Sequence, residues 1–312
     1  MSGSLHWTQV RESGFVWGMR FLFAVDRLFG RYMFRVVLYP VLTFYFLQNH
    51  IARNASLDYL KRLAQFAPDC GVRANWRTSF RHFIAFAESL TDKVHGWVGN
   101  VSLQDVTFQN RAPLQALLSS GRGAVLLGAH IGNMEMCCAL AEMRPGLRLN
   151  VLVHTQHAEK FNTLLGRFRD SKQQVELIQV TQMSPATAML LNQRIEAGEF
   201  IAVLADRTSV TAADRVVYAP FLGEDAPFPQ GPFILAALLQ CPVYTLVCAK
   251  RDTRYEITAE LFAEKIVLPR RDRTAALQQY VALFAQRLEQ QCRRTPLQWF
   301  NFYPFWKGVD DI

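Results

Sequence analysis

The chain has 312 residues, a mass of 35.6 kDa and a formal net charge of +8, and half of its residues are hydrophobic. This length excludes a small disulfide-stapled fold, and the high aromatic content excludes a disordered chain. Residues 1–82 hold 11 Lys and Arg against four Asp and Glu, so nearly all of the net charge lies in the N-terminal quarter. Such a localised charge fits nucleic acid, an anionic membrane surface or a solvated face without a binding role.

The N-terminal quarter also indicates how the chain could contact a membrane. It shows no secretory signal, and its longest uncharged run, residues 36–49, is shorter than the roughly 20 apolar residues that span a bilayer. We therefore expect no lone transmembrane anchor, and a segment that lies on the membrane surface stays open.

The six cysteines form no C-x-x-C pair and no metal-ligand grouping with histidine, so we expect reduced thiols and no metal.

The first predicted element is a helix over Phe15 to Tyr39. At helical spacing Arg20, Arg27 and Arg31 share one narrow stripe, with Arg35 beside it. The opposite side is apolar and carries Leu22, Val25, Phe29, Tyr32, Met33 and Val36. This segregation is typical of an interfacial helix, although a helix packed on the protein's own core gives the same pattern.

The next segment favours the membrane reading. Residues 36–47 are uncharged and rich in aromatic side chains, which is more apolar surface than a peripheral helix of a soluble domain needs. After it, Ser56 is predicted to cap a helix that runs through Phe66. A further basic face then repeats every four residues at Arg73, Arg77 and Arg81. We expect residues 1–82 to form a basic, helical, membrane-docking region.

From about residue 120 the chain alternates short apolar runs with helical periodicity, which predicts an α/β fold with a mainly parallel central sheet flanked by helices. The helix with the clearest ends is Ala186 to Ala197, with Ser184 as its N-cap and Gly198 after its last turn. A long helix is predicted over Thr274 to Arg293, and we assign residues 83–312 to one α/β domain. The predicted strands are Ala124 to Leu127, Leu149 to Val153, Val175 to Gln179, Phe200 to Leu204, Val217 to Phe221 and Val243 to Cys248.

The aromatic residues that end the chain are too dense for a free terminus. We expect them to pack on the α/β domain or to reach the membrane. They are Trp299, Phe300, Phe302, Tyr303, Phe305 and Trp306.

The candidate chemistry lies directly after the first strong strand, at His130 and Glu135. In open α/β sheets ligands bind at the carboxyl ends of strands. The two side chains would point apart on a continuous helix, but Gly132 allows a turn that brings them together. The Glu135 carboxylate could then accept the ring Nδ1 proton and raise the basicity of Nε2, which gives a base for an alcohol or amine. A buried histidine held by a glutamate without chemistry is the alternative.

Other catalytic motifs are not found in the sequence. There is no G-x-S-x-G nucleophile elbow, no dinucleotide fingerprint and no P-loop. With no nucleophile on the protein, the base suggests that the nucleophile belongs to the substrate.

These residues resemble the lipid A biosynthesis acyltransferases, a bacterial branch of the lysophospholipid acyltransferase superfamily. The resemblance covers roughly residues 5–306. The first element on which it rests is His-x-x-x-x-Glu, within residues 128–135. It continues through Leu204 to Arg207, Ala219 to Gly223, Phe228 to Pro232, Cys241 to Val243 and Pro296 to Trp299.

The resemblance implies transfer of an acyl chain from a thioester donor, acyl carrier protein or coenzyme A, to a hydroxyl or amine of a lipid. By this resemblance His130 is the general base and Glu135 its orienting acid, while Asn133 and Asp206 line the same crevice. Positive charge is needed near the thioester, either to offset the developing oxyanion or to hold donor phosphate, and the candidates are Arg167, Arg169 and Arg207. A closed apolar groove fed by Phe221, Phe228 and Phe233 would favour transfer. Phe221 and Gly231 are further candidates for substrate binding.

The implied location is the cytoplasmic face of the inner membrane, as a peripheral or monotopic protein that contacts anionic lipid and no nucleic acid. No cofactor beyond the thioester co-substrate is implied. The family usually carries an arginine after the strand that ends at Val153, whereas this chain has His154 to His157. This difference favours the sub-branch found with glycolipid, aminolipid and aryl-polyene pathways over lipid A itself.

Two other functions stay open from the sequence. A thioesterase or lipid hydrolase would use the same pair to activate water, and an open wet cleft would favour it over a closed apolar groove. A lipid-binding or scaffold protein would need neither His130 nor Glu135.

Overall fold

The computed structural model describes residue 33 and residues 36–97, 106–138, 146–153, 175–179, 184–208, 215–252 and 254–306. In this part of the chain the helices are α1 (36–48), α2 (His50–Phe66), α3 (Trp76–Trp97), α4 (Arg111–Ser120), α5 (Pro185–Glu196), α6 (Gly231–Leu239) and α7 (Arg273–Arg294). The strands are β1 (Val106–Phe108), β2 (Ala124–Gly128), β3 (Leu149–Val153), β4 (Val175–Gln179), β5 (Phe200–Leu204), β6 (Val216–Phe221), β7 (Glu224–Pro229), β8 (Val243–Arg251) and β9 (Arg254–Ala263).

Seven of these strands form one sheet in the order β1-β9-β8-β2-β5-β3-β4. Strands β8, β2, β5, β3 and β4 run parallel, whereas β9 pairs antiparallel with β8 and β1 runs parallel to β9. Along β2, Val125 and Leu127 enter one hydrophobic core and Ala124 and Leu126 enter another, because successive side chains of a strand point to opposite faces. The prediction of a mainly parallel central sheet flanked by helices is confirmed.

Most predicted elements lie where the sequence placed them. Three strands, β3, β4 and β5, have the predicted bounds, and α5 begins after Ser184, whose side chain accepts a hydrogen bond from the Thr187 amide. The predicted strand at Val217 to Phe221 is also present, but it was wrongly placed in the central sheet. It is β6, and it pairs only with β7 in a separate antiparallel hairpin among the described residues.

The helix predicted to begin at Ser56 begins earlier, at His50. Asn49 is its cap and accepts a hydrogen bond from the Ala52 amide at 3.0 Å. Ser56 is instead fully buried within α2 and contacts His82 of α3. The cap prediction was wrong because Ser56 satisfies its hydroxyl through another helix, a contact that local sequence does not reveal.

The N-terminal helices pack on one another through a small core of their own. The apolar residues Leu38, Leu42 and Phe46 of α1 lie four apart and are buried against Phe83 and Ala87 of α3. Of the predicted helix Phe15 to Tyr39, only its end is described, and it belongs to α1; the arginine stripe lies outside the described residues. Among the helices described, none combines the length and the apolar character needed to cross a membrane.

The sequence division between residues 82 and 83 falls within α3, which is continuous there. His82 is fully buried and joins α2, α3 and the end of the chain in one polar network. Its Nε2 donates to the Trp299 carbonyl at 2.9 Å, and its Nδ1 accepts from the Ser56 hydroxyl at 3.0 Å. Ser79 in turn donates to Ser56. Burial outweighs the bond to Trp299 and lowers the pKa of His82 from 6.5 to about 4.

His82 therefore makes folding sensitive to acid. The unfolded chain binds a proton at His82 below about pH 6.5 and the folded chain only near pH 4, so stability falls as the pH drops through this window. We expect this group to lower the free energy of unfolding by about 2 kcal/mol between pH 7.5 and pH 5. Urea unfolding at pH 7.5 and pH 5 checks it. His82→Gln, which does not titrate, should be less stable at pH 7.5 but show a flatter pH dependence; an unchanged slope would contradict the assignment.

Candidate active site

The sheet brings the ends of two neighbouring parallel strands together. Strands β2 and β5 are paired in register, with Gly128 opposite Leu204. Two residues beyond these partners lie His130 and Asp206, one at the carboxyl end of each strand. Because carboxyl ends of parallel strands meet at one edge, the sheet itself sets the distance between the two side chains.

His130 and Asp206 form a close acid–base pair. The ring Nδ1 of His130 lies 2.8 Å from Oδ1 of Asp206, and the His130 amide donates to Oδ2 at 2.8 Å. Asp206 is almost fully buried, whereas the His130 side chain is 28% exposed. An ionised carboxylate accepts only, so Nδ1 carries the proton and Nε2 is the basic nitrogen of the neutral ring.

Asp206 is held by a third donor that the sequence analysis did not identify. The indole N–H of Trp299 donates to Oδ2 at 3.0 Å. Burial alone would raise the pKa of the Asp206 carboxyl, but the charge of His130, its hydrogen bonds and nearby Arg207 outweigh burial and lower this pKa. The carboxylate is therefore ionised at neutral pH and stabilises a proton on His130.

The loop that carries His130 is fixed on both of its sides by backbone hydrogen bonds. On one side, the Gly132 amide donates to the Gln298 carbonyl at 2.8 Å, and the Phe300 amide donates to the His130 carbonyl at 2.8 Å. On the other side, the Asn133 amide donates to the Cys248 carbonyl of β8 at 2.7 Å. The loop thus lies like a short extra strand between β8 and the end of the chain.

Gly132 is required by this arrangement. Its φ is +66°, in the region that favours glycine, and a Cβ built on it would lie 2.0 Å from the Cys248 carbonyl oxygen. This oxygen is a backbone atom of β8, so it cannot move aside as the end of a flexible side chain could. The sequence analysis gave Gly132 the role of allowing a turn, and the structure adds a close approach of two backbones.

The partner of His130 Nδ1 differs from the predicted one. The predicted partner was Glu135, whereas the atom that Nδ1 contacts in the structure is Oδ1 of Asp206. The backbone of Glu135 belongs to a short 3₁₀ helix, Met134–Cys138, and its side chain lies outside the described part of the chain. A catalytic role for Glu135 stays a prediction.

Asn133 and Arg207 lie next to the pair and hold its surroundings together. Asn133 is fully buried, and its side-chain amide donates to the Ser89 carbonyl of α3 at 3.1 Å. The Arg207 guanidinium donates to the Phe300 carbonyl at 2.7 Å and lies over the Tyr303 ring. Both residues thus tie the site to neighbouring segments, and a contact with substrate stays a prediction for each.

The other predicted binding residues lie elsewhere. The three phenylalanines proposed to line a groove, Phe221, Phe228 and Phe233, are all fully buried in the main core. Gly231 is the exposed first residue of α6, and Arg167 and Arg169 lie outside the described residues. Because the three rings fill the core, they do not distinguish a closed groove from an open cleft.

The aromatic end of the chain packs on the α/β body, which is one of the two outcomes expected. Trp299 is fully buried, with ring centroids 5.0 Å from Tyr59, 5.1 Å from Phe221 and 5.0 Å from Phe305. A buried tryptophan needs an acceptor for its indole N–H, and this rule is the one signal that could have led from the sequence to the contact with Asp206.

Within the described ranges, no group of three or more His, Cys, Asp or Glu side chains could hold a metal ion. The site contains the partly exposed His130, whose Nδ1 is bonded to the buried carboxylate of Asp206 at the carboxyl edge of the sheet. Chemically, this arrangement can take a proton from a hydroxyl, an amine or water, as a general base does.

Comparison with known families agrees with this class. The family model described as bacterial lipid A biosynthesis acyltransferase matches residues 77–308, and the chain belongs to that family. The family resemblance inferred from the sequence is thereby confirmed. Membership indicates an acyltransferase that acts on lipids. A search of curated proteins found no match.

The close approach at Gly132 can be tested against a glycine of the same conformation. Gly121 has a φ of +69° and no atom within 4 Å of a built Cβ. Gly121→Ala should therefore cost only backbone strain, about 1 kcal/mol of unfolding free energy. Gly132→Ala should cost several times as much, because the strand-like contact with β8 must also open. Urea unfolding of both variants measures the difference; equal losses would show that the contact at Gly132 does not constrain the loop.

Proposed function

We propose that this protein transfers a fatty acyl or polyene acyl group from a thioester donor to a hydroxyl or amine of a membrane lipid, with His130 as the general base. The donor is an acyl carrier protein or a coenzyme A thioester. The observation that carries the proposal is the His130–Asp206 pair at the carboxyl edge of the sheet. Site geometry and family membership support the same reaction class.

The pair has the properties that the reaction needs. Nε2 of His130 takes the proton of the acceptor hydroxyl or amine as its oxygen or nitrogen attacks the thioester carbonyl. The carbon–sulfur bond then breaks, and the proton passes from the imidazolium to the leaving thiolate. Asp206 stabilises the transient positive charge on the ring, because a buried carboxylate at 2.8 Å is weakly screened by solvent.

The tetrahedral intermediate also requires a positive charge or N–H donors for its oxyanion. We propose Arg207 for this task, because it follows Asp206 directly and lies beside the pair. Arg167 and Arg169 keep the role assigned to them from the sequence, which is to supply positive charge near the thioester, for the oxyanion or for donor phosphate. Asn133 and Phe221 are proposed to shape the site through the segments that they anchor, and Gly231 keeps the substrate-binding role assigned to it from the sequence.

We further propose that the protein works as a peripheral or monotopic protein on the cytoplasmic face of the inner membrane. Helix α1 contains no charged residue, and its buried stripe packs on α3. Its outer face is apolar and open, with Val41, Phe44 and Leu47 each more than half exposed. The arginines of the first 82 residues are suited to anionic headgroups or to an acidic carrier protein.

The catalytic assignment predicts a graded set of losses. We expect His130→Ala to lower transfer about 100- to 10 000-fold, since no other described group replaces the base. Asp206→Asn should lower it about 100-fold, because an amide cannot balance the charge of the ring. The assay follows radiolabelled palmitoyl carrier protein or palmitoyl-coenzyme A with a total membrane lipid extract, and mass spectrometry identifies the acylated lipid.

Glu135→Gln is the matched comparison for Asp206→Asn. A larger loss in the Glu135 variant would give Glu135 the dominant acid role. Near wild-type transfer by His130→Ala would refute the base assignment. Palmitate released to water without an acylated lipid would indicate a hydrolase in place of a transferase.

The membrane assignment predicts a specific effect of the outer face of α1. Phe44→Ser together with Leu47→Ser should reduce co-sedimentation with vesicles that contain anionic phospholipid, because the apolar side chains that would enter the headgroup boundary are lost. Met189→Ser with Leu238→Ser is the control, since these side chains are equally exposed but lie on α5 and α6. Equal binding by the two double variants would contradict a role for α1.

A further inference from the structure

We propose that Trp299 is a positioning residue for the acid–base pair. Its indole N–H and the His130 amide both donate to Oδ2 of Asp206. Together they fix the plane of the carboxylate so that its other oxygen meets the imidazole Nδ1. The inference rests on the proposed function, because it concerns how the base His130 is held.

Trp299 is rigid enough for this task. Its side chain is fully buried, and aromatic rings from α2, β6 and the end of the chain surround it. Its carbonyl oxygen accepts from the buried His82 at 2.9 Å. A side chain held at both its ring and its backbone loses little entropy when its N–H engages the carboxylate.

The same segment also fixes the other member of the pair. Trp299 pairs with Ile131 in an antiparallel bridge, while Gln298 and Phe300 bond the backbones of Gly132 and His130. The Gln298 side chain in turn bonds both backbone groups of Lys250 in β8. Residues 298–300 therefore hold the base through the backbone and the acid through the indole, so that one segment sets their separation.

Removing the indole N–H has a defined electrostatic consequence. A carboxylate that loses a donor keeps more of its negative charge for the imidazole, and this stabilises the protonated ring. The base would then need a higher pH to become active. Because Trp299 has no exposed surface, it should affect turnover and leave substrate affinity almost unchanged.

The test compares two tryptophans of one aromatic cluster. Trp299→Phe keeps a ring in place and removes the donor to Asp206. Trp306→Phe removes an indole N–H that donates to the Phe221 carbonyl and not to Asp206. We expect Trp299→Phe to lower kcat about 10- to 100-fold with KM nearly unchanged and to move the acidic limb of the pH profile to higher pH. Trp306→Phe should do neither, although both variants should lose stability.

A second measurement does not depend on turnover. In protein labelled with ¹⁵N-histidine, the resonances lost in His130→Ala identify His130, and its titration midpoint should rise in Trp299→Phe but not in Trp306→Phe. If Trp299→Phe does not fold, the wild-type indole resonances serve instead: that of Trp299 should follow the titration of His130, and that of Trp306 should not.

The outcomes separate this inference from the function itself. Equal kcat, pH profile and His130 titration in the two tryptophan variants, with His130→Ala inactive, overturn the role of Trp299 and leave the proposed base intact. An active His130→Ala overturns the proposed function, and the titration of His130 still decides whether Trp299 positions the pair.

Discussion

The site depends on keeping an ionised carboxylate where water hardly reaches it. Burying an unpaired carboxylate costs several kcal/mol, so the fold must supply donors for it. Asp206 receives three: the His130 ring, the His130 amide and the Trp299 indole. Two come from the loop after β2 and one from the end of the chain, 93 residues beyond Asp206. The loop after β2 and residues near the end of the chain thus meet at Asp206, because both supply donors to its carboxylate.

Helix α3 links this place to the rest of the N-terminal region. One part of the helix packs on α1 through Phe83, and His82 beside it bonds the carbonyl of Trp299. Further along, Ser89 accepts a hydrogen bond from Asn133, and Asp92 pairs with Lys250 of β8 at 2.8 Å. A single rigid helix therefore sets the position of the open face of α1 relative to the acid–base pair. In the proposed function, α3 therefore sets the position of His130 relative to the lipid headgroups that α1 contacts.

The sequence predicted the elements of this fold better than their partners. Strands β3, β4 and β5 and the capped helix α5 have strong local signals, because apolar runs, a serine cap and a following glycine act over a few residues. The partner of His130 is set by strand pairing instead: Asp206 becomes its neighbour only because β2 and β5 are adjacent and in register. Within the same loop, Glu135 is the nearest acid in sequence, so the local pattern favoured it. Ser56 was misjudged for the same reason, since its hydroxyl bonds His82 of another helix. The partner of β6 is local instead: β7 follows after Leu222 and Gly223 alone, and this short hairpin turn was missed.

The polar network around His82 sets a lower limit on how much of the chain the α/β body needs. A chain shortened to begin at residue 83 would keep every strand of the sheet but lose Ser56, Ser79 and His82. The shortened chain would also lack α2, whose Tyr59 packs on the Trp299 ring and donates to the Pro296 carbonyl. The end of the chain would then lose its support on the side facing the helices. The folded unit that holds the acid–base pair therefore extends back at least to Asn49, because Tyr59, Leu60 and Leu63 of α2 lie in the main core and His82 of α3 bonds Trp299.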